Sequence, residues 1–142
     1  MNKLFSLLRK CLGLSRVAPG NILVIDVAES NRAALGSLLE SWNCRVLVAE
    51  STTMALRKMA ETAWTPDVVL VGCDLLSDEI GIAAIQAVRA QCGKDISGVL
   101  ITDDSDPEHT RAAHDRGYLL LRTPIQPARL RSAIRYCLLN PS

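Results

Sequence analysis

A chain of 142 residues fits one domain, and a hydrophobic fraction of 49% supplies a real core, which excludes a disordered protein. Aromatic residues make up only 4%, so the core is aliphatic, a composition that favours a layered α/β fold over an aromatic-rich sandwich. With a net charge of +1 the chain has no basic surplus pointing to nucleic acid, and no apolar run approaches the length of a membrane span.

The positions of the cysteines and histidines indicate the cellular compartment and bear on whether the chain binds zinc. The cysteines lie singly in apolar stretches without CxxC spacing, which predicts reduced thiols and a cytoplasmic protein. The two histidines share one polar segment with no cysteine nearby, so a zinc site is not expected.

Residues 1–20 are predicted to be a basic amphipathic extension and linker. Its apolar residues have helical spacing with lysines between them, and Pro19-Gly20 ends the segment. Arg9-Lys10 interrupts the apolar part and no cleavage site follows, so a signal peptide is not indicated. The segment is either a loosely docked extension or a helix for a partner or a second copy; membrane contact is not expected.

The remaining residues, 21–140, repeat a strand followed by a helix five times, as one domain. The predicted strands are 21–26, 44–49, 67–72, 97–102 and 118–121. The predicted helices are 30–42, 52–62, 81–92, 107–116 and a last one opened by Pro127, with 75–80 as a loop. Ser30 is the expected N-cap of the first helix, and Asn43, Gly93 and Gly117 are expected to stop helices.

These strands are short and almost entirely apolar, the pattern of a parallel sheet that helices cover on both faces. The sequence therefore predicts a doubly wound α/β domain. Sites in such folds form at the carboxyl ends of the strands. No glycine-rich phosphate loop follows the first strand, and neither histidine lies at a strand end, so a dinucleotide site and a serine triad are not supported.

From 21 to 140 the chain resembles the receiver domain of two-component response regulators, particularly receivers attached to hybrid sensor histidine kinases. The resemblance is carried by the segments NILVIDVAESNRAAL, PDVVLVGCDLL, AIQAVRAQCGKDISGVLIT and DPEHTRAAHDRGYLLLRTPIQPARLRSAI. It implies a flavodoxin-like five-stranded parallel sheet in the order 2-1-3-4-5. It also implies a bacterial phosphorelay role, in which an aspartate ending the third strand accepts a phosphoryl group.

In the family, an acidic pair after the first strand holds Mg²⁺, a hydroxyl ends the fourth strand, and a lysine follows the fifth. Matched position by position, Asp26 keeps the first acid and Thr102 keeps the hydroxyl. The second acid falls on Val27 and the acceptor on Gly72, which has no side chain. The lysine falls on Thr123 while Pro124 after it is kept, and Leu120 stands at the aromatic switch position.

Because acceptor, second acid and lysine are lost together, the resemblance implies a degenerate receiver, or pseudo-receiver. It would be no enzyme, hold no cofactor and signal without phosphorylation, through the face of the fourth and fifth helices and the fifth strand. The expected partner is a protein such as a histidine kinase, a receiver or an output domain, or a second copy. Neighbouring side chains are expected to fill the space above Gly72 and no Mg²⁺ to bind there.

Asp74 carries the alternative. Two residues beyond Gly72, it would keep the same face if the strand continued, and it would then be the acceptor, with a weakened Mg²⁺ site at Asp26. Otherwise Asp74 is a solvated loop carboxylate and Cys73 a packed thiol. A third hypothesis is a small-ligand pocket at the strand ends.

Overall fold

The computed structural model describes residues 20–26, 28–73, 78–93, 95–103 and 107–140, without the side chains of residues 73, 78–80 and 109. The predicted N-terminal helix and, apart from Gly20, the basic extension lie outside these residues.

Five strands and five helices alternate along the described residues. They are β1 (Asn21–Ile25), α1 (Glu29–Ser41), β2 (Arg45–Ala49), α2 (Thr52–Thr62), β3 (Val68–Cys73), α3 (Asp78–Cys92), β4 (Ser97–Thr102), α4 (Pro107–Asp115), β5 (Leu119–Arg122) and α5 (Pro127–Leu139). No helix in this part of the chain is long and apolar enough to cross a membrane.

The strands form one parallel sheet in the order β2-β1-β3-β4-β5, which confirms the predicted flavodoxin-like topology. Its central strands are buried because helices cover both faces, as their unbroken apolar runs predict. On one face of the sheet, alternate strand residues pack with α2, α3 and α4, in a core that includes Leu23, Val69, Leu100, Met59 and Ile85. On the opposite face, the intervening strand residues pack with α1 and α5, in a core that includes Val24, Leu70, Val99, Leu39 and Ile134.

The predicted helix stops are confirmed by backbone conformation. Asn43, Gly93 and Gly117 have φ of 65°, 69° and 84°, the left-handed region in which a helix ends. After α4 the chain closes in a Schellman-like turn, in which the Gly117 amide donates to the His114 carbonyl at 2.9 Å and the Tyr118 amide to the Ala113 carbonyl at 2.9 Å. Tyr118 therefore caps α4, and β5 begins one residue later than predicted.

The start of two helices differs from the prediction. The prediction that Ser30 caps α1 is wrong: the helix begins at Glu29, and its N-cap residue is Ala28, whose side chain makes no cap. The predicted loop to residue 80 is also too long, because α3 begins at Asp78. Gly81 is a buried residue inside α3 and not its boundary.

Candidate functional site

The carboxyl ends of the three central strands meet at one edge of the sheet. Ile25 pairs with Val71, so Asp26 and Gly72 follow side by side on β1 and β3. The prediction that β3 ends at Gly72 is one residue short, because Gly72 and Cys73 still pair with Ile101 and Thr102 of β4. Asp74 and Val27 lie outside the described residues.

The space above Gly72 holds the carboxylate of Asp26. A β-carbon built on Gly72 would lie 2.2 Å from Oδ2 of Asp26, 2.6 Å from Cγ and 3.2 Å from Oδ1. These separations are far shorter than van der Waals contact, so no side chain fits at position 72 while Asp26 keeps this conformation. The position that carries the acceptor in receivers is thus closed by a neighbouring side chain.

Local hydrogen bonds hold the Asp26 side chain in this place. Oδ1 accepts from the backbone amide of Ala28 at 2.9 Å, a turn typical of aspartate, and Oδ2 is 3.5 Å from the Asn31 side-chain amide. The hydrogen bond with Ala28 also provides an acceptor for a backbone amide at the exposed start of α1, whose N-cap residue makes no side-chain cap. Moving the carboxylate away from Gly72 would therefore cost a hydrogen bond and leave an amide of the turn to water.

The backbone of Asp26 is fixed as well. Its amide donates to the Ala49 carbonyl at 3.1 Å, and its carbonyl accepts from Nη1 of Arg32 at 2.6 Å. Arg32 thus reaches from the first turn of α1 to the end of β1. The sequence prediction missed Asn31 and Arg32; the only signal was their place five and six residues after Asp26, one helical turn into α1.

On the other side of Gly72, β4 ends at Thr102, which is 1% exposed. Its carbonyl accepts from the amide of Thr123 at 2.9 Å, so the structure brings these two predicted site residues together. The side chains of Thr123 and Pro124 are exposed, and Leu120 on β5 is half-buried. Threonine carries no charge, so position 123 offers no cation to an anion at the strand ends.

The described donors do not fit the Mg²⁺ site of a receiver. Asp26 supplies one carboxylate, which is engaged by Ala28, and the adjacent acid of the family pair is a valine in this sequence. Within the described residues no three histidine, cysteine, aspartate or glutamate side chains come together as a metal-binding group. Mg²⁺ demands near-octahedral oxygen coordination, which this set does not offer.

A second feature lies beside the fifth strand. A groove of about 430 Å³ runs between α4, β5 and the start of α5. It is lined by Thr110, Leu120, Leu121, Arg122, Thr123, Pro124, Ile125, Gln126 and Arg129. It shares Thr123 and Pro124 with the strand ends, so the two features adjoin.

No protein-family model matches the chain, and no curated protein matches it. Solved structures do. A response regulator receiver domain protein from Clostridium thermocellum superposes with a TM-score of 0.68 at 26% identity, over 84% of this chain and 94% of that one. A response regulator receiver protein from Burkholderia phymatum gives 0.67 at 21%, over 87% and 98%. The beryllofluoride-activated DrrB receiver domain gives 0.66 at 17%, over 86% and 99%.

These similarities span nearly the whole of each receiver domain. Together with the strand order, they show that this chain has the receiver fold of response regulators, as the sequence resemblance predicted.

Proposed function

We propose that this chain is a phosphorylation-independent signalling module of a two-component-type pathway, which acts by presenting a surface to a protein partner. The similarity to response regulator receiver domains supports a two-component signalling module. The loss of phosphoryl chemistry and the use of a surface are the proposal.

The observation that carries the proposal is the Asp26 carboxylate above Gly72. Accepting a phosphoryl group needs a carboxylate at the end of β3, yet this position has no side chain and a neighbouring acid fills its space. A phosphoryl group brought there would meet the charge of Asp26 and no lysine at position 123. Two negative charges a few ångströms apart repel each other, and a negative charge without a cationic partner is disfavoured at a partly buried site.

The same residues make the module independent of a metal in this proposal. Asp26 is the one carboxylate left of the family's acidic pair, and the Ala28 backbone amide already donates to it. A Mg²⁺ ion would therefore lack its second acidic ligand. The chain would keep one conformation at its strand ends, and its partner would recognise the face of α4, β5 and α5. The partner is a histidine kinase, a receiver, an output protein or a second copy.

Beryllofluoride tests this proposal, because it activates the DrrB receiver domain. We expect the amide NMR signals of Asp26, Gly72 and Thr102 to stay in place when beryllofluoride and Mg²⁺ are added together. The DrrB receiver in the same buffer is the positive control.

Saturable shifts at these amides that disappear in Asp74→Asn would overturn the proposal. They would instead support the alternative, an acceptor at Asp74 with a weakened Mg²⁺ site at Asp26.

A further inference from the structure

Two large apolar side chains near the C-terminal end of α5 lie mostly in solvent. Tyr136 is 58% exposed and Leu139 is 69% exposed, and within the described part of the chain they are the large apolar residues of which this is true. They are three residues apart and share a side of the helix that faces away from its buried residues. An occupant that covered both would remove this apolar surface from water.

The described chain begins beside the same end of α5. Gly20 is buried, and a β-carbon built on it would lie 2.8 Å from Cδ2 and 3.3 Å from Cδ1 of Leu138, the neighbour of Leu139. The Gly20 carbonyl accepts from the Arg45 amide at 2.9 Å, which fixes this residue at the start of the sheet. Residues 1–19 therefore join the domain at the C-terminal end of α5, whereas the groove beside β5 lies at the start of that helix.

The sequence of residues 1–19 supplies apolar surface of matching extent. Helical spacing would place five apolar residues of 2–14 on one stripe: Leu4, Leu7, Leu8, Cys11 and Leu12. A helix over 2–14 would be ~20 Å long, the length of the 13-residue α5. Residues 15–19 reach up to ~17 Å, and Gly20 already lies against Leu138, so the stripe can return to Tyr136 and Leu139.

We infer that residues 2–14 dock as an amphipathic helix on the C-terminal end of α5 of the same chain, with their leucines on Tyr136 and Leu139. A segment tied by so short a connection has an effective concentration on the order of millimolar, well above that of a second copy in ordinary solutions. The same chain is therefore the favoured occupant. While docked, the segment holds its leucines away from membranes and other proteins. The inference goes beyond the proposed function and does not depend on it.

Tryptic cleavage of the full chain after Arg9 and Lys10 tests the inference. Cleavage within the segment tracks the population of the undocked form. The double variant Y136Q/L139Q removes the apolar contact and should speed this cleavage roughly tenfold. Both residues are exposed, so the domain itself should fold as before.

NMR amide signals give a second, reciprocal readout. Y136Q/L139Q should shift the signals of Leu7 and Leu8. The segment variant L7Q/L8Q should in turn shift those of Tyr136 and Leu139, because each pair lies in the other's surroundings when the segment is docked.

The matched control is A60Q/A83Q, which replaces exposed apolar residues of α2 and α3 on the other face of the sheet. It should leave both readouts unchanged, and the cleavage rate of the unaltered chain should not depend on protein concentration. Equal effects of the two double variants or the absence of reciprocal shifts would overturn the inference. So would protection that rises with protein concentration, which indicates a second copy, or that needs anionic vesicles, which indicates a membrane. None of these results bears on the beryllofluoride response, so the proposed function is tested separately.

Discussion

At the scale of single residues, the glycine at position 72 and the position of Asp26 belong together. A glycine at position 72 has no side chain and leaves open the space that the Asp26 carboxylate occupies. Once there, the carboxylate accepts the Ala28 amide and so helps to order the start of α1. An acid that the resemblance assigns to metal binding is thereby part of the local structure.

A double-mutant cycle measures this relation. Gly72→Ala should lower the free energy of unfolding by about 1–2 kcal/mol, since the new β-carbon displaces the carboxylate and breaks its hydrogen bond. In the Asp26→Ala background the same change should cost less than about 0.5 kcal/mol, because the obstruction is gone. Urea unfolding of the four proteins gives the coupling.

Gly36→Ala is the matched control for replacing a glycine. Among the described residues, a β-carbon on Gly36, inside α1, would meet only Val48 Cγ1, at an ordinary 3.7 Å. Alanine favours a helix interior, so this variant should gain about 0.5–1 kcal/mol in both backgrounds. An equal cost of Gly72→Ala with and without Asp26 would contradict the account.

At the scale of elements, a helix end was predictable where it needs a residue in the left-handed backbone conformation. It was less predictable where a capping side chain determines the first residue of the helix. Asn43, Gly93 and Gly117 were found because a left-handed residue ends a helix. Ser51 does cap α2, accepting from the Met54 amide at 3.2 Å. Ser30 looked equally suited in sequence, but the Asp26 turn starts α1 one residue earlier.

Two serine replacements test this distinction. Ser51→Ala should lower the free energy of unfolding by about 1 kcal/mol, because the Met54 amide loses its acceptor. Ser30 lies inside the first turn of α1, so Ser30→Ala should change the free energy of unfolding by less than about 0.5 kcal/mol. Urea unfolding at one pH compares them, and a larger loss for Ser30→Ala would restore the cap that the sequence predicted.

At the scale of the molecule, the fold was predictable and the site only in part. Short apolar strands that alternate with helices leave few topologies, and the receiver order follows from the resemblance. The position of the Asp26 carboxylate over Gly72 depends on its side-chain conformation and on the Ala28 amide, which no residue pattern encodes. The pairing of Arg32 with the Asp26 carbonyl was hidden for the same reason.

Two buried thiols give the molecule a pH dependence. Burial raises the pKa of Cys44 and Cys137 above the ordinary 9.0, while hydrogen bonds with the Gly20 backbone and the Ser97 side chain oppose this. A raised pKa means that the folded state holds the proton more tightly. The thiols' stabilising contribution is therefore complete below the unfolded pKa and is lost as pH rises through the folded value.

The free energy of unfolding should accordingly fall as the pH rises above the unfolded thiol pKa and continue to fall until the pH passes the raised pKa of the folded state. Urea unfolding across this range should show a shallower fall for C44A/C137A, whatever its starting stability. The same slope in both proteins would mean that other groups cause the alkaline loss.

We propose that this chain keeps a receiver fold without its phosphoryl chemistry. Intact mass of the full chain after incubation with a small phosphodonor and Mg²⁺ tests it most directly, with an active receiver as the positive control. We expect an unchanged mass for the unaltered chain and for Asp74→Asn alike. A phosphoryl adduct on the unaltered chain that is absent from Asp74→Asn would contradict it.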